Sequence, residues 1–217
     1  MELWNNIYSN FNPIAFTIFG LKVHWYGLMY ATALITAVQY AKWIVKKDNL
    51  NITNDDLDSY FVYVEIGVIL GARLGYILFY ANNTSYYLIH PWQIFNPFSA
   101  SGEFVGISGM SYHGALIGFL VGTLIYIRKF KYPLWTLMDL VAISVPVGYI
   151  FGRIGNFLNQ ELIGRPTDIS IGIYVDGILR HPSQLYEAIL EGLVIAIIIY
   201  IIRNKTVFKD KLISFLS

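Results

Sequence analysis

The run Leu134-Trp-Thr-Leu-Met-Asp-Leu-Val-Ala-Ile-Ser-Val-Pro-Val-Gly-Tyr-Ile-Phe151 contains a single charged side chain, Asp139. A helix needs roughly 20 mostly apolar residues to cross the hydrocarbon core of a bilayer, so this run is predicted to span a membrane. The stretch directly behind it, Gly152-Arg-Ile-Gly-Asn-Phe-Leu-Asn-Gln-Glu-Leu-Ile-Gly-Arg165, is rich in arginine, amide and carboxylate side chains. Because polar groups are costly to place where a helix leaves a membrane, their presence indicates a functional site.

The composition of the whole chain also indicates a membrane protein. Of its 217 residues, 56% are hydrophobic and 13% charged, with a mean hydropathy of +0.52, whereas soluble domains carry about 25% charged residues. The net charge of +1 argues against a nucleic-acid partner, since no basic face dominates. The chain has no cysteine, which excludes disulfides, thiolate metal sites and a cysteine nucleophile. Any thiol chemistry must therefore use a thiol supplied by a substrate.

Five runs are predicted to cross the membrane, which makes the chain an all-α, polytopic integral membrane protein with a single membrane domain over residues 1–217. These runs are Val23–Ile44, Tyr60–Tyr80, Met110–Ile127, Leu134–Phe151 and Leu185–Ile202. The shorter run Ile14–Leu21 is expected to lie at the membrane interface or to fold back as a re-entrant piece, within an outer arm of residues 1–22. Residues 152–184 are expected to form an outer-face loop that carries the polar motif.

The basic residues predict which side of the membrane each loop occupies. Clusters follow the first, third and fifth predicted spans, at Lys42, Lys46, Lys47, Arg128, Lys129, Lys131, Arg203, Lys205, Lys209 and Lys211. Because cytoplasmic loops are enriched in lysine and arginine, the N-terminus is predicted to lie outside and the C-terminus inside. Past Lys22, the basic residues of the outer side are then the arginines Arg153, Arg165 and Arg180. Their planar side chains suit bidentate binding of a phosphate or carboxylate.

Glycines recur at helical spacing in three predicted spans, at Gly67/Gly71/Gly75, Gly114/Gly118/Gly122 and Gly148/Gly152. Glycines four residues apart let membrane helices pack closely, and the alternative is that they leave room for a lipid chain. Glu65 and Arg73 share one face inside the second predicted span. One expectation is that they form an ion pair, directly or through water. The alternative is that Arg73 lines a polar cavity.

Two further polar groups lie at predicted helix ends. His113 opens the third span and is either an interfacial hydrogen-bonded residue or a general base. The stretch Arg180-His-Pro-Ser-Gln-Leu-Tyr-Glu187 leads into the fifth span, with Glu191 one turn further on. An ordinary helix start explains its proline and serine, but not the gathering of charges. The four histidines of the chain show no ligand spacing, so no metal site is predicted.

Five short motifs follow one another along the chain. They are His24-Trp-Tyr-Gly-Leu-Met-Tyr30, Gly71-Ala-Arg-Leu-Gly-Tyr76, Ser111-Tyr-His-Gly-Ala-Leu-Ile-Gly118, Gly152-Arg-Ile-Gly-Asn-Phe-Leu-Asn159 with Glu161 and Gly164, and Arg180-His-Pro-Ser-Gln-Leu-Tyr-Glu187. In content, order and spacing they resemble the motifs of the prolipoprotein diacylglyceryl transferase family. The resemblance covers about Phe11 to Ile202.

The resemblance implies transfer of the diacylglyceryl group of phosphatidylglycerol to the lipobox cysteine of a preprolipoprotein, with sn-glycerol 1-phosphate as the leaving group. It implies a bacterial cytoplasmic membrane enzyme without a cofactor, whose active site faces the outer leaflet and whose partners are phosphatidylglycerol, the lipobox peptide and the bilayer. The implied catalytic residues are Arg153, His113 and Glu161. The implied substrate-binding residues are Tyr26, Arg73, Tyr76, Asn156, Asn159, Gly164, Arg180 and Glu187.

The sequence departs from the family pattern in two places. Ala115 stands where the family usually has a second glycine after its histidine. Family members typically continue through two more membrane helices, the first of which carries an arginine and a glutamate, whereas this sequence ends at Ser217. Leu212-Ile-Ser-Phe-Leu-Ser217 resembles the first turns of that helix. An inactive truncated relative is therefore one alternative, and a small transporter with a polar site at Glu65, Arg73 and Glu191 is another, although it lacks an inverted repeat.

Overall fold

The structure is a computed structural model that describes residues 2–98, 101–102, 106–107 and 109–203. The chain forms two compact units, one containing residues up to Leu50 together with those from Met138 onward, the other Asn51–Leu137. The arrangement of the chain as a single membrane domain stays a prediction. The C-terminal lysines Lys205, Lys209 and Lys211 and the stretch Leu212–Ser217 lie outside the described residues.

Five helical segments are long and apolar enough to cross a membrane, which confirms the predicted all-α membrane architecture. In chain order the helices are α1 (Glu2–Asn5), α2 (Trp25–Lys47), α3 (Asn54–Phe79), α4 (Thr84–Ile89), α5 (Tyr112–Phe130), α6 (Leu134–Leu158), α7 (Ser183–Glu187) and α8 (Ile195–Arg203). A π-helical segment, Ala188–Val194, joins α7 to α8 and completes the fifth span, and short 3₁₀ turns cover Ile7–Ser9 and Pro91–Phe95. Each predicted span overlaps one of these five segments.

The largest difference from the predicted spans is at the end of α6. Hydropathy predicts an end at Phe151, but the helix continues through Leu158. Residues 152–158 therefore belong to the helix, and the loop between the fourth and fifth spans begins at Asn159. The polar side chains of this extension bond to one another and to the fifth span, as described below, so they do not end the helix.

Four short strands form two hairpins in the first unit, β1 (Ile14–Ile18) with β2 (Leu21–His24), and β3 (Ile173–Val175) with β4 (Ile178–Arg180). Each hairpin turns through two residues of positive φ, Phe19-Gly20 and Asp176-Gly177. Two successive left-handed residues are the geometry of the type I′ turn, which matches the twist of paired strands. The run Ile14–Leu21 thus contains β1 and the first hairpin turn, and its place relative to a membrane stays a prediction.

The N-terminal arm packs against the end of α6 and the second hairpin. Tyr8, Phe157 and Ile173 form a buried cluster there. The indole of Trp4 donates to the carbonyl of Ile171 over 2.9 Å, and the amide of Asn5 donates to the carbonyls of Ser170 and Gly172 over 2.9 and 2.6 Å. Gln160 donates in turn to the carbonyls of Tyr8 and Phe11. These contacts fix the chain just beyond the polar end of α6.

In the second unit, α3 and α5 pack along their glycines. A Cβ added at Gly118 would lie 1.9 Å from the carbonyl oxygen of Gly67, and one at Gly71 would lie 2.3 Å from that of Gly114. This confirms the prediction of close helix packing for the glycines of α3 and α5. The prediction is wrong for Gly152, where an added Cβ would have nothing within 4 Å. An apolar groove of about 750 Å³ runs beside the same seam. The alternative that the glycine faces receive a lipid chain stays a prediction.

Candidate active site

Arg153 lies in the extension of α6, surrounded by polar side chains. Its Nε is 2.8 Å from Oε2 of Glu187, an ion pair without an aligned N–H···O hydrogen bond. Its Nη1 donates to Oδ1 of Asn156 over 3.3 Å, and its guanidinium lies 4.7 Å from the ring centre of Tyr149. The side chain is 23% exposed. The arginine is thus oriented on three sides by side chains and still reaches the surface of its unit.

Asn156 connects Arg153 to Glu161. Its Oδ1 accepts from the arginine, and its Nδ2 donates to Oε1 of Glu161 over 3.0 Å. An amide that accepts on one side and donates on the other has a fixed orientation, because its two ends are chemically different. The three predicted residues Arg153, Asn156 and Glu161 therefore form one continuous hydrogen-bonded chain.

The backbone around Glu161 adopts an unusual conformation that brings this side chain back to α6. Gln160 and Leu162 both have left-handed backbone angles, with φ of 58° and 55°, which side chains other than glycine adopt rarely. The N–H of Glu161 donates to the carbonyl of Asn156, and the Glu161 carbonyl accepts a hydrogen bond from the fully buried Gln184. Local strain of this kind is common where a structure holds a functional side chain in place.

Tyr149 and Glu191 extend the cluster by one helical turn. The tyrosine hydroxyl donates to Oε2 of Glu191 over 2.6 Å and lies 3.5 Å from Oε2 of Glu187. Glu191 belongs to the π-helical segment, a rare conformation that is frequently found at functional sites. Two carboxylates thus lie on either side of one hydroxyl, next to Arg153.

Tyr26 stands on the first turn of α2 beside Gly155, which follows Arg153 by two residues. A Cβ at Gly155 would lie 3.0 Å from Cβ of Met29 and 3.3 Å from Cδ2 of Tyr26, so the glycine lets the two helices approach. The ring of Tyr26 stacks on Tyr30, and the side chain remains exposed. The structure therefore places this predicted residue against the segment that carries Arg153 and Asn156.

The remaining predicted residues of the first unit belong to the loop and its hairpin. A Cβ at Gly164 would lie 2.4 Å from the carbonyl oxygen of His181, so only glycine fits there. Arg180 donates to the carbonyl of Gly164 over 3.3 Å, and within the described residues no hydrogen bond or ion pair joins it to Arg153. Oδ1 of Asn159 is buried without a hydrogen-bond partner in the described part of the chain. Gly164 and Arg180 shape the loop behind the Arg153 cluster.

Arg73 belongs to the second unit and is 4% exposed. It donates to the backbone carbonyls of Ile94 and Gly109, the latter over 3.2 Å. Its guanidinium lies 5.7 Å from the ring centre of Tyr76 and 5.4 Å from that of Tyr87. Tyr76 also packs against Gly109, where a Cβ would lie 2.4 Å from the ring. These contacts tie the loop after α3 to the helix, which favours a structural role for Arg73.

His113 lies in the first turn of α5 and is exposed. The turn begins at Ser111, whose hydroxyl accepts from the N–H of Gly114 over 3.1 Å as a helix cap. Nδ1 of the histidine lies 3.4 Å from the hydroxyl of Tyr80, so this contact is weak. Its ring also lies edge-on to that of Tyr112, with the ring centres 5.8 Å apart.

The described part of the chain offers no obvious set of ligands for a metal ion. No group of three or more histidine, aspartate and glutamate side chains is close enough there to hold a metal ion. The polar clusters of both units consist instead of arginine, carboxylate, amide and tyrosine side chains, which recognise anions and hydroxyl groups.

The family model of prolipoprotein diacylglyceryl transferase matches residues 13–216, nearly the whole chain. The chain belongs to this family. Curated proteins named phosphatidylglycerol–prolipoprotein diacylglyceryl transferase show high similarity. That of Campylobacter jejuni subsp. jejuni serotype O:23/36 (strain 81-176) is 66% identical over 213 residues, which cover 98% of this chain and 78% of the relative. That of Campylobacter lari is 63% identical over 215 residues, covering 99% and 79%.

Membership of the prolipoprotein diacylglyceryl transferase family confirms the resemblance and makes the transporter alternative unnecessary. The structure brings together Tyr26, Arg153, Asn156, Glu161 and Glu187 of the residues that the family motifs predicted. Tyr149 was missed by sequence reasoning, since it was counted as part of an apolar span. Its position four residues before Arg153, on the same helix face, is the signal that could have found it.

Proposed function

We propose that this chain transfers the diacylglyceryl group of phosphatidylglycerol to the lipobox cysteine of a preprolipoprotein, the first step of bacterial lipoprotein maturation. Membership of the transferase family carries this assignment, together with its relatives of more than 60% identity. Arg153 is the residue of this chain that best fits the chemistry. Its partners are side chains, which can move aside for a phosphate, and it lies at the end of a membrane-spanning helix.

The reaction exchanges a carbon–oxygen bond for a carbon–sulfur bond. The cysteine sulfur attacks the glycerol carbon that bears the phosphate, a thioether forms, and the electron pair of the broken bond leaves with the oxygen of sn-glycerol 1-phosphate. The leaving group is a phosphate monoester, so it needs positive charge to stabilise it more than it needs a proton. Donors aimed at developing charge are a major source of rate enhancement in enzymes. Arg153 supplies such donors, and Asn156 and Glu161 orient it.

The nucleophile belongs to the substrate, because this chain has no cysteine. A free thiol has a pKa near 8.5, so little thiolate is present at neutral pH and a base accelerates the attack. His113 is proposed as that base. It is exposed at the start of α5, and histidine accepts protons near neutral pH.

The proposed substrate contacts divide between the two units. In the first unit, Tyr26, Asn156, Asn159 and Glu187 are proposed to bind the lipid headgroup, and Gly164 and Arg180 to shape the loop around it. In the second unit, Arg73 and Tyr76 are proposed to contribute indirectly, by holding the loop after α3 in place.

We also propose the bacterial cytoplasmic membrane as the location, with the N-terminus outside and the active site facing the outer leaflet. Within the first unit, Arg203 at the end of α8 bonds to Asp48 just past the end of α2, and Lys47 bonds to Tyr200. The first and fifth spans therefore end on the same side. Basic residues close both spans, which supports a cytoplasmic position for these ends.

The test is a transfer assay with the Arg153→Ala variant. The 217-residue chain is incorporated in phosphatidylglycerol-containing membranes with a lipobox peptide, and the diacylglyceryl mass shift of the peptide is followed. The unmodified chain is expected to produce the shift, and the variant to lose it while inserting normally. Arg128→Ala, at the exposed end of α5, is the control and should behave as the unmodified chain. Full activity of Arg153→Ala would falsify the proposed role of Arg153. A chain that inserts but produces no shift, beside an active longer relative, would favour the inactive alternative.

A further inference from the structure

Tyr149 contacts Arg153, Glu187 and Glu191, although the reaction proposed above gives it no part. Its ring faces the guanidinium at 4.7 Å. Its hydroxyl donates to Oε2 of Glu191 over 2.6 Å and lies 3.5 Å from Oε2 of Glu187. A phenol carries one proton, so the short contact identifies Glu191 as its main acceptor. Both carboxylates lie within a few ångströms of one hydroxyl, and one of them already pairs with Arg153.

The four residues form two rungs between α6 and the fifth span. Arg153 pairs with Glu187, and Tyr149 pairs with Glu191. The members of each helix are four residues apart, the spacing that places side chains one above the other. Gly192 keeps the two helices close at this level, because a Cβ there would lie 2.6 Å from Cγ1 of Ile150. The rungs are therefore set by the close approach of the two helices.

The number of carboxylates that pair with Arg153 decides whether it can bind an anion. One carboxylate orients the guanidinium, and a phosphate can replace or join it. Two carboxylates would carry more negative charge than the single positive charge of Arg153 can balance. They would then compete with an anionic ligand, because negative charges that are poorly solvated repel each other strongly. Glu191 is the carboxylate that shares Tyr149 with Arg153 and Glu187, and the hydroxyl of Tyr149 holds it.

We propose that Tyr149 is a positioning residue that binds Glu191 and keeps it from pairing with Arg153, so that the arginine remains available to a lipid phosphate. The inference rests on the proposed function for its ligand, phosphatidylglycerol. It assigns Glu187 and Glu191 different tasks, although both are glutamates on the same helical stretch. Glu187 orients the arginine, and Glu191 is held apart from it.

The inference is tested with the Tyr149→Phe variant, which keeps the ring under Arg153 and removes only the hydroxyl. The released Glu191 then competes with the lipid phosphate, so the KM for phosphatidylglycerol is expected to rise about three- to fivefold, the upper end of the range of a single solvent-accessible ion pair. The kcat at saturating lipid should stay within about twofold, because the arginine itself is intact. Tyr174→Phe, on the exposed face of β3, is the matched control and should change neither value.

A double variant separates this role from a merely structural one. In Tyr149→Phe/Glu191→Gln the glutamine carries no charge, so the KM is expected to return to within about twofold of the unmodified chain. A structural defect caused by losing the hydroxyl would not be repaired by a second substitution. An unchanged KM in the single variant, a loss confined to kcat, or a double variant weaker than the single one would each overturn the inference.

Binding of phosphatidylglycerol micelles to the purified chain, measured by calorimetry without any lipobox peptide, gives a readout that does not depend on transfer. The Kd values are expected to follow the same order as the KM values. Only Tyr149→Phe should bind the lipid more weakly than the unmodified chain. If the unmodified chain binds the lipid but transfers nothing, the proposed function fails while the Kd series still decides the role of Tyr149. If Tyr149→Phe does not fold, Glu191→Gln alone is measured. Its Kd should be no higher than that of the unmodified chain, and a rise of about threefold or more would overturn the inference.

Discussion

Arg153 and Arg73 both lie in membrane-spanning helices and both contact tyrosine rings, but the polar partners that the described residues give them are of different kinds. Arg73 is 4% exposed and donates to the backbone carbonyls of Ile94 and Gly109. Arg153 is 23% exposed, and its partners are the side chains of Glu187, Asn156 and Tyr149. A carbonyl cannot move without the chain that carries it, whereas a carboxylate or amide can rotate away. Backbone partners therefore mark an arginine that holds the fold, and side-chain partners mark one that can exchange them for a ligand.

The two arginines cannot be told apart from their local sequence. Ala72-Arg-Leu-Gly75 and Gly152-Arg-Ile-Gly155 have the same pattern of small and apolar neighbours. The difference arises from the chain that each arginine meets in space. Arg73 meets the loop after α3, and Arg153 meets the fifth span.

The strongest way to break this comparison is the Arg153→Lys variant. Lysine keeps the charge but loses the planar fork that binds a phosphate with two donors, so kcat/KM for transfer is expected to fall about a hundredfold. The thermal unfolding midpoint should stay unchanged, because the partners of Arg153 are partly exposed. Full activity in the peptide mass-shift assay would mean that Arg153 acts only as a positive charge.

Arg73→Met tests the other side of the comparison. Methionine fills much of the buried volume but leaves the carbonyls of Ile94 and Gly109 without their donor, which should cost about 2 kcal/mol of folding free energy. Unfolding of the purified protein in increasing SDS measures the loss, with Arg128→Met as the exposed control. Transfer per folded molecule should persist. A stable but inactive Arg73→Met protein would show that Arg73 contacts substrate.

Asn156→Ala examines the connection between Arg153 and Glu161. Removing the amide frees both partners, and loss of one orienting hydrogen bond to a charged group predicts about a tenfold decrease in kcat. The decrease should appear in single-turnover rates, because these rates report the chemical step. In that step the guanidinium of Arg153 would still be present but no longer correctly oriented toward the leaving group. Asn82→Ala, on the exposed turn after α3, serves as the comparison. Equal rates for the two variants would remove Asn156 from the orienting role.

The smallest effect is expected for Tyr80→Phe. The 3.4 Å contact with His113 is long and exposed, so transfer rates should change by no more than about twofold. The pH dependence of kcat/KM should keep its shape. A large loss, or a displaced pH profile, would mean that Tyr80 fixes the orientation of the histidine during the reaction.

Much of the fold follows from the sequence because hydropathy is averaged over the whole length of a membrane span. The five spans were predicted within a few residues at most ends, since some 20 apolar residues outweigh any local detail. The exceptions are the start of α3, at Asn54 rather than Tyr60, and residues 152–158. Arg153 and Asn156 predict the end of a membrane helix, yet the helix continues through them, and they pair with Glu187 and Glu161.

The candidate site was predicted through motifs, whereas its geometry was not. The motifs named Arg153, Asn156 and Glu161, but nothing local in the sequence shows that Tyr149 faces Glu191. That pairing depends on two helices meeting at Gly192 and Ile150. The π-helical segment was equally invisible, because residue types that form it also form ordinary helix and its hydrogen bonds are set by the contacts of the folded chain.

The N-terminal arm has a consequence for the order in which the protein is assembled during synthesis. Trp4 is translated 167 residues before its acceptor, the carbonyl of Ile171. At 5–20 residues per second the ribosome needs roughly 10–30 s to reach that partner. During this interval the arm has no native place to bind, and contacts so distant in sequence close slowly. The contacts of the arm just beyond the polar end of α6 are therefore completed only after Ile171 has been made.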